Sequence, residues 1–464
     1  MDSDADAIRH LYGESARRYV FRTFKSRFAE DVLSCYLTVE ADDPVRSSSA
    51  FTRYRLRLYY LAAVVLGWTG RKLLAVRVLQ KGLDLALTSD FSDILYLYTS
   101  LLSELSRSLD VRSEQSLYSK LMGTYLRRWQ SELIVAEAVL RDDIMIRGDR
   151  ACPLTREDTL QRVRERITTI NHELIPFEAQ LGYLRIMTRL SAAKGNTVMF
   201  RQYAKQTDTL LEEHSQASGE DQAAVAADRA LGLVQLRMMQ DVLSVDCQHS
   251  TDLRPDSSVW FTWHASGIIA CVHLGQIDEA VRRWNAADAI HNRHFEARAS
   301  ADTPWRLIGG YIALLETLGL AGSERRDRPF RMSSFVNSLP NPLQQDLRAG
   351  LPYLILEIAH AITKDDYDLA SRRIEAGNIA LVRISHAYEY RRFMMFWQLI
   401  RLIYNKRFDV NSIRDAAGPH LQQLSMLAQD PLPSLIAEVI PFEELFEHLL
   451  NAMSRNESRN DHYY

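Results

Sequence analysis

The chain has 464 residues, of which 47% are hydrophobic and 25% charged, and these ordinary globular proportions exclude a wholly disordered protein. Its length exceeds the roughly 250–300 residues that one hydrophobic core supports, so two domains or one elongated array are expected. The formal net charge of −3 excludes a polycation that coats nucleic acid with its whole surface.

Apolar residues recur at steps of three and four along most of the chain, which predicts an all-α protein. No alternating run between hairpin turns predicts a sheet. In the first strong helix, Tyr54–Leu66, the recurring residues are Leu58, Leu61, Ala62 and Val65. Three shorter helices are expected to close the chain. The other predicted helices are Val76–Leu87, Ile94–Leu109, Glu114–Leu140, Arg156–Asn171, Phe177–Lys194, Thr197–His214, Asp221–Leu243, Val259–Leu274, Ile277–His291, Pro304–Leu318, Leu351–Ile362, Tyr367–Ala387 and Tyr390–Tyr404.

A polar, proline-bearing stretch, CQHSTDLRPDSS, separates two long helical arrays and is the best internal boundary. We expect an N-terminal array over residues 1–246, a loop over 247–258, a C-terminal array over 259–453 and a polar, frayed tail over 454–464. Because no break is long enough to be a free linker, the two arrays are expected to form one continuous superhelix.

Residues 260–289, WFTWHASGIIACVHLGQIDEAVRRWNAADA, indicate a helical repeat unit. A helix rich in aromatic residues ends at Gly275, and the next helix carries Ala280, Trp284 and Ala287 on one face. The two alanines allow paired helices to approach closely, and Trp284 fills the gap between layers. This order of residues resembles the tetratricopeptide repeat (TPR). It predicts an irregular TPR-like α-solenoid, that is, a right-handed superhelix of antiparallel helix pairs.

Three weaker copies of this spacing occur elsewhere in the chain. They are Gly70, Ala75, Leu79 and Gly82; Gly195, Phe200, Ala204 and Thr207; and Asp365, Ala370, Ile374 and Gly377. The copies lie about 80 to 125 residues apart, whereas a regular TPR array repeats every 34 residues or so. We therefore expect larger, irregular helical pairs between them.

Four stretches carry a resemblance to known proteins, namely KLLAVRVLQKGLDLALTSDFSDI, WFTWHASGIIACVHLGQIDEA, FRMSSFVNSLP and EVIPFEELFEHLL. Through them nearly the whole chain resembles a group of uncharacterised TPR-like helical-repeat proteins of bacteria, mainly Bacteroidetes. The resemblance implies a helical-repeat fold. It implies no activity, cofactor or catalytic residue.

Motifs of common enzymes do not occur in the sequence. GxxxxGK[ST] and GxSxG are absent, and no GxGxxG follows a strand pattern. Paired carboxylates such as Glu443–Glu444 stand at predicted helix starts, where acidic side chains cap backbone N–H groups. The expectation is a non-enzyme without a cofactor.

Potential metal ligands cluster in the middle of the chain. They are Cys247, His249, His264, Cys271, His273, His291 and His294. His291 and His294 are three residues apart and could share a helical face, as zinc ligands do. However, His264 and Cys271 fall within the packed first helix of the repeat unit. We therefore interpret these residues as core or surface side chains and expect no metal.

Charge is distributed unevenly between the two ends of the chain. Residues 7–81 contain 14 Lys/Arg and 6 Asp/Glu, whereas residues 409–464 contain 3 and 9. Basic stripes interleaved with aromatic residues are typical of surfaces that bind nucleic acid. The candidate polyanion-binding residues are Arg17, Arg18, Arg22, Lys25, Arg27, Arg53, Arg55 and Arg57. Alternatively, these arginines form the solvated face of the first helix, opposite a buried face of Tyr19, Val20, Phe24 and Phe28.

The predicted function is a non-catalytic scaffold or adaptor that binds a protein or peptide on the concave surface of the solenoid. The alternative is a nucleic-acid-associated regulator that uses the basic N-terminal region. The acidic N-terminus lacks an apolar run, and the stretch Leu58–Trp68 is shorter than the ~20 residues of a membrane helix. We therefore expect a cytoplasmic protein without a membrane partner. The identity of the partner and the oligomeric state stay open.

Overall fold

The computed structural model describes residues 48–89, 91–147, 165, 177–214, 218–245, 253, 255, 257–294, 303–321, 347–381 and 391–460. Sixteen helices and no strand occur in these ranges, so the predicted all-α class is confirmed. The chain divides into two compact units, Met1–Gln130 and Ser131–Tyr464. The stretch 247–258, expected to separate two arrays, lies inside the second unit.

The first unit is built around three helices that all pack on one another. Its helices are α1 Ser48–Trp68, α2 Lys72–Ser89, α3 Ser92–Ser108 and the first part of α4 Arg112–Arg147. Tyr98 of α3 is fully buried, and its hydroxyl donates a 2.6 Å hydrogen bond to the backbone oxygen of Leu56. Gly82 of α2 makes room for this ring, because a Cβ there would lie 2.5 Å from the tyrosine.

The second unit is a series of helices that pack mainly on their neighbours in the chain. They are the rest of α4, then α5 Phe177–Ala193, α6 Thr197–Glu213, α7 Gly219–Gln235, α8 Met239–Ser244, α9 Ser258–His273, α10 Ile277–His294, α11 Thr303–Thr317, α12 Leu347–Thr363, α13 Tyr367–Leu381, α14 Arg391–Asn405, α15 Val410–Met426 and α16 Phe442–Asn460. Helix α7 packs on both α5 and α9, and α12 packs on α11, α13 and α16. One large hydrophobic core runs from Ala192 to Met453.

Eight helices in the described residues end in the same way, with a left-handed residue just beyond the helix; after α14 the next residue, Phe408, is left-handed as well. At Gly275 the backbone N–H donates to the oxygen of Val272 at 3.0 Å, and the N–H of Gln276 donates to the oxygen of Cys271 at 2.9 Å. This pair of bonds is the Schellman motif, which satisfies carbonyl groups that a helix end leaves without partners. The left-handed residues are Gly70, Asp110, Gly195, Arg237, Gly275, Gly319, Asp365 and Arg407.

In the second unit these turns follow one another at intervals of 38 to 46 residues, from Gly195 to Arg407. This interval is about half of the 80 to 125 residues that separate the copies found in the sequence, because several turns lack the glycine–alanine order by which such a copy is found. The turn at Arg237 divides the predicted helix Asp221–Leu243 into α7 and α8. The prediction of one continuous helix is wrong there, since the apolar periodicity runs through the turn without a glycine or proline.

The end of the chain also differs from the prediction. Two helices of 17 and 19 residues, α15 and α16, follow α14, instead of three short ones. Helix α16 continues past Ser454 to Asn460, into the residues expected to fray. Arg455 and Asn456 donate hydrogen bonds of 3.4 Å to the backbone oxygens of Leu318 and Ile362, and these bonds hold the last turns of the helix in place. Apart from Glu165, the predicted helix Arg156–Asn171 lies outside the described residues.

The shared turn geometry makes a prediction about two opposite substitutions. Gly275→Ala should lower the free energy of unfolding by about 1–2 kcal/mol, because a left-handed backbone costs that much for a residue with a Cβ. No atom lies within 4 Å of the added Cβ, so crowding does not contribute. Arg407→Gly should raise stability by about 0.5–1 kcal/mol for the converse reason. Urea unfolding followed by circular dichroism measures both, and equal signs for the two variants would contradict the interpretation.

Candidate functional site

The C-terminal strap, which we define as residues 430–456, passes over the turn ends of successive helices in chain order. Pro431 lies beside Gly195, and the N–H of Leu432 donates a 2.9 Å hydrogen bond to the oxygen of Gln235. His273 Nε2–H donates to the oxygen of Glu438 at 2.8 Å. The strap then reaches the ends of α11 and α12 through the hydrogen bonds of its helix α16. The chain itself thus contacts the C-terminal ends of five helices in the second unit, while turn residues such as Gly275 and Gly319 stay exposed.

Glu438 is the charged centre of this strap and is only 2% exposed. Arg392 binds its carboxylate through two hydrogen bonds of 2.8 and 2.9 Å, and Arg237 adds a third of 2.6 Å. The N–H of Phe442 donates to the same carboxylate at 3.0 Å, which also caps the start of α16. Glu443 accepts a further bond from Arg392 at 2.5 Å. One carboxylate thus joins the turn after α7, the start of α14 and the start of α16.

The two guanidinium groups decide the ionisation of Glu438. Burial favours the neutral form, but the hydrogen bonds and positive charges of Arg392 and Arg237 outweigh it and hold the pKa at about 2, below the ordinary 4.5. A carboxyl group whose pKa is lower in the folded chain stabilises the fold above its ordinary pKa. That contribution is lost as the pH falls from about 4.5 towards 2.

Glu438→Gln is therefore predicted to destabilise the second unit by about 3–5 kcal/mol at pH 7, because it removes the carboxylate that pairs with Arg237 and leaves Glu443 as the remaining acidic partner of the buried Arg392. Glu447→Gln is the matched control: this glutamate is exposed on the same helix, and its loss should change stability by less than about 0.5 kcal/mol. Urea unfolding at pH 7 and pH 3 measures both effects. The stability difference between Glu438→Gln and the unmodified chain should shrink at the lower pH, and a difference independent of pH would contradict this role.

The repeat-packing residues lie in the core and at the turns. Ala280, Trp284 and Ala287 are buried, and the Trp284 ring stacks on Trp305 with centroids 4.4 Å apart. Gly309 of α11 allows this, since a Cβ there would lie 2.5 Å from Trp284. The residues of the weaker copies that are buried are Ala75, Leu79, Gly82, Phe200, Thr207, Ala370, Ile374 and Gly377, while Gly70 occupies a left-handed turn. These side chains position helices and present no group to a ligand.

Two of the histidines considered as metal ligands belong to an aromatic cluster in the core. The Trp260 ring packs on Trp305 at a tilt of 51° with centroids 5.2 Å apart, and the centroids of His264 and His291 lie 4.5 and 6.0 Å from that of Trp260. Burial, followed by the nearby charge of Arg283, lowers the pKa of His264 to about 4, so the ring is neutral at pH 7. The geometry is that of ring packing.

The other potential ligands have different surroundings. Cys271 is fully buried, and burial raises the pKa of its thiol, whereas His273 binds the strap. Within the described ranges, no group of three His, Cys, Asp or Glu side chains could hold a metal ion. Cys247 and His249 lie outside those ranges, and the His294 side chain is not described.

The described part of the basic N-terminal region is engaged with α3. Arg53 forms a 3.3 Å ion pair with Asp93 and lies over the Phe91 ring, 4.7 Å from its centroid. Arg57 approaches the same carboxylate at 3.9 Å, and Arg55 is exposed. Arg53 thus connects α1 to α3. The other candidate polyanion-binding residues, Arg17, Arg18, Arg22, Lys25 and Arg27, lie outside the described residues.

An exposed apolar stripe on α1 is the clearest surface feature of the first unit. The α1 stripe consists of Leu58, Leu61, Val65 and Trp68, whose exposed fractions are 37%, 58%, 55% and 85%. Their spacing of three, four and three residues puts them on one side of the helix. The periodicity of these residues predicted the helix from the sequence. The buried side of α1 is the opposite one, however, and includes Leu56 and Ala63. Beyond the turn, Leu73 and Leu74 of α2 add exposed apolar surface.

Comparison with known proteins identifies no relative: no protein-family model and no curated protein matches the chain. The resemblance of the sequence to bacterial TPR-like proteins therefore stays a prediction. None of the helices that the structure describes is long and apolar enough to cross a membrane. Two observations bear on function. The apolar stripe of α1 is exposed, and the C-terminal strap binds helix ends of the second unit.

Proposed function

We propose that this chain is a non-catalytic scaffold that binds another protein through an exposed helical face, the α1 stripe. The observation that carries the proposal is the exposure of four large apolar side chains in one row, ending in Trp68 at 85%. Single exposed apolar residues are normal, but a continuous row is characteristic of interaction sites. Tryptophan is also enriched among the residues that contribute most to protein–protein binding energy.

Our proposal retains the TPR-like solenoid as the architecture behind this function. Its support is the recurrence of one Schellman turn every 38 to 46 residues and the packing of α7 between α5 and α9. Such arrays usually bind partners on their concave surface. In the second unit the C-terminal strap contacts the ends of five helices, whereas the exposed apolar row lies on the first unit, so we assign the partner to the α1 stripe. A cytoplasmic location stays a prediction from the sequence.

A pair of double variants tests the proposal. Leu61→Ser with Trp68→Ser should leave the melting temperature of the chain nearly unchanged, because both side chains are exposed. The same variant should reduce recovery of the co-purifying protein about tenfold or more, which corresponds to about 1.4 kcal/mol. The measurement is affinity purification from the native cells with quantitative mass spectrometry.

The matched control replaces two exposed apolar residues of the second unit, Val198→Ser with Ile379→Ser, which are 76% and 71% exposed. This variant should recover the partner as the unmodified chain does. Equal losses in both variants, or the absence of any stoichiometric protein partner, would exclude the α1 stripe as the binding site. Reproducible co-purification of nucleic acid with a binding constant that falls steeply with salt would instead favour the nucleic-acid alternative.

A further inference from the structure

The charged residues that α1 and the first part of α2 contribute are all basic. Between residues 48 and 83 the sequence contains seven Lys or Arg residues and no Asp or Glu, and the first acidic residue is Asp84. Arg53 and Arg57 share the carboxylate of Asp93 on α3. Arg71, Arg77 and Lys81, which follow the stripe along the chain, are exposed. The two helices that carry the exposed apolar residues therefore contribute basic residues alone up to Asp84, and Asp93 of α3 pairs with two of them.

The dimensions of the stripe fit a helix. From Leu58 to Trp68 it extends over ten residues, or about 15 Å at 1.5 Å per residue. Rows of side chains at three- and four-residue steps are the ridges by which helices pack on one another. An amphipathic partner helix would present its own apolar residues at the same steps.

We propose that the α1 stripe binds an acidic amphipathic helix of another protein. This inference rests on the proposed scaffold function and adds the chemical class of the partner. Apolar residues of the partner helix pack on Leu61, Val65 and Trp68, while its flanking carboxylates lie against Arg71 and Arg77. Burial of the apolar rows supplies most of the binding energy, and the opposite charges select the partner and orient it.

The same charges argue against two other occupants. A second copy packed stripe against stripe would bring one cationic surface against another, with no acid within residues 48–83 to offset the repulsion. The aromatic-rich stretch of residues 17–28 of this chain contains five Lys or Arg and no acidic residue, so it also repels this surface. Residues 30–43 of this chain and the acidic region 409–464 of a second copy have complementary charge, and the crosslinking experiment below distinguishes them from a separate protein. An acidic helix is the occupant whose charge is complementary.

Photocrosslinking from the stripe tests the proposal. In the full chain, Leu61 is replaced by the photoreactive amino acid p-benzoylphenylalanine, which suits a position that is 58% exposed. After irradiation in the native cells, mass spectrometry sequences the attached peptide. The expected peptide comes from another protein, has more Asp and Glu than Lys and Arg, and carries apolar residues at steps of three and four. Crosslinking from Val198 serves as the control position and should not yield this peptide.

A charge reversal, Arg71→Glu with Arg77→Glu, should lower the yield of the crosslinked peptide about tenfold. Arg414→Glu, at an exposed position of α15, should leave the yield unchanged. The proposal is overturned by crosslinks to residues 1–47 of the same chain, to a second copy or to lipid, or by no crosslink at all. It is also overturned by a protein segment with excess Lys and Arg, although that outcome would leave the scaffold function standing. Unaltered recovery of every co-purifying protein by the Leu61→Ser, Trp68→Ser variant would remove both the proposed function and this inference.

Discussion

The second unit depends on one buried carboxylate. Glu438 accepts hydrogen bonds from Arg237, Arg392 and the backbone of Phe442, and thereby fixes the strap to helix ends that are 201 and 46 residues distant in the chain. A charge in such surroundings is tolerable only when it is fully paired, because its desolvation alone costs several kcal/mol. The cluster therefore permits one arrangement of these helix ends, since any slip of the strap would leave two guanidinium groups unpaired inside the core.

The strap also satisfies the backbone where helices stop. A helix end exposes carbonyl groups without partners, and in this chain a Schellman turn satisfies some of them while backbone and side-chain donors of the strap satisfy others. The oxygens of Leu318 and Ile362 receive bonds from α16, and that of Gln235 receives one from Leu432. Other helical arrays could offer such helix ends to a ligand, whereas in this chain the strap binds them. This is why a partner is better assigned to an outer face.

The α1 stripe has the opposite character. Its leucines, valine and tryptophan contribute little to the core of the first unit, which is formed by the other side of α1 with α2 and α3. Exposing such a row to water costs free energy that a partner helix can recover. The surrounding arginines and lysines then favour partners with negative charge. A folding role and a binding role are consequently separated on two faces of one helix, and substitutions on either face can be distinguished by their effect on stability.

The sequence by itself determined the all-α class, most helix positions and the pair of helices joined at Gly275, because three- and four-residue periodicity and the glycine at 275 are local signals. It could also have indicated a buried carboxylate, since Glu438 is the only charged residue in the apolar run from Leu435 to Phe442. Its partners could not be read locally, because Arg237 and Arg392 are distant in the chain. Tertiary structure alone decided which face of α1 is buried, since both faces carry apolar residues. It also decided that Arg237 ends a helix, because backbone bonds and the contacts of its guanidinium hold a left-handed turn that no glycine marks.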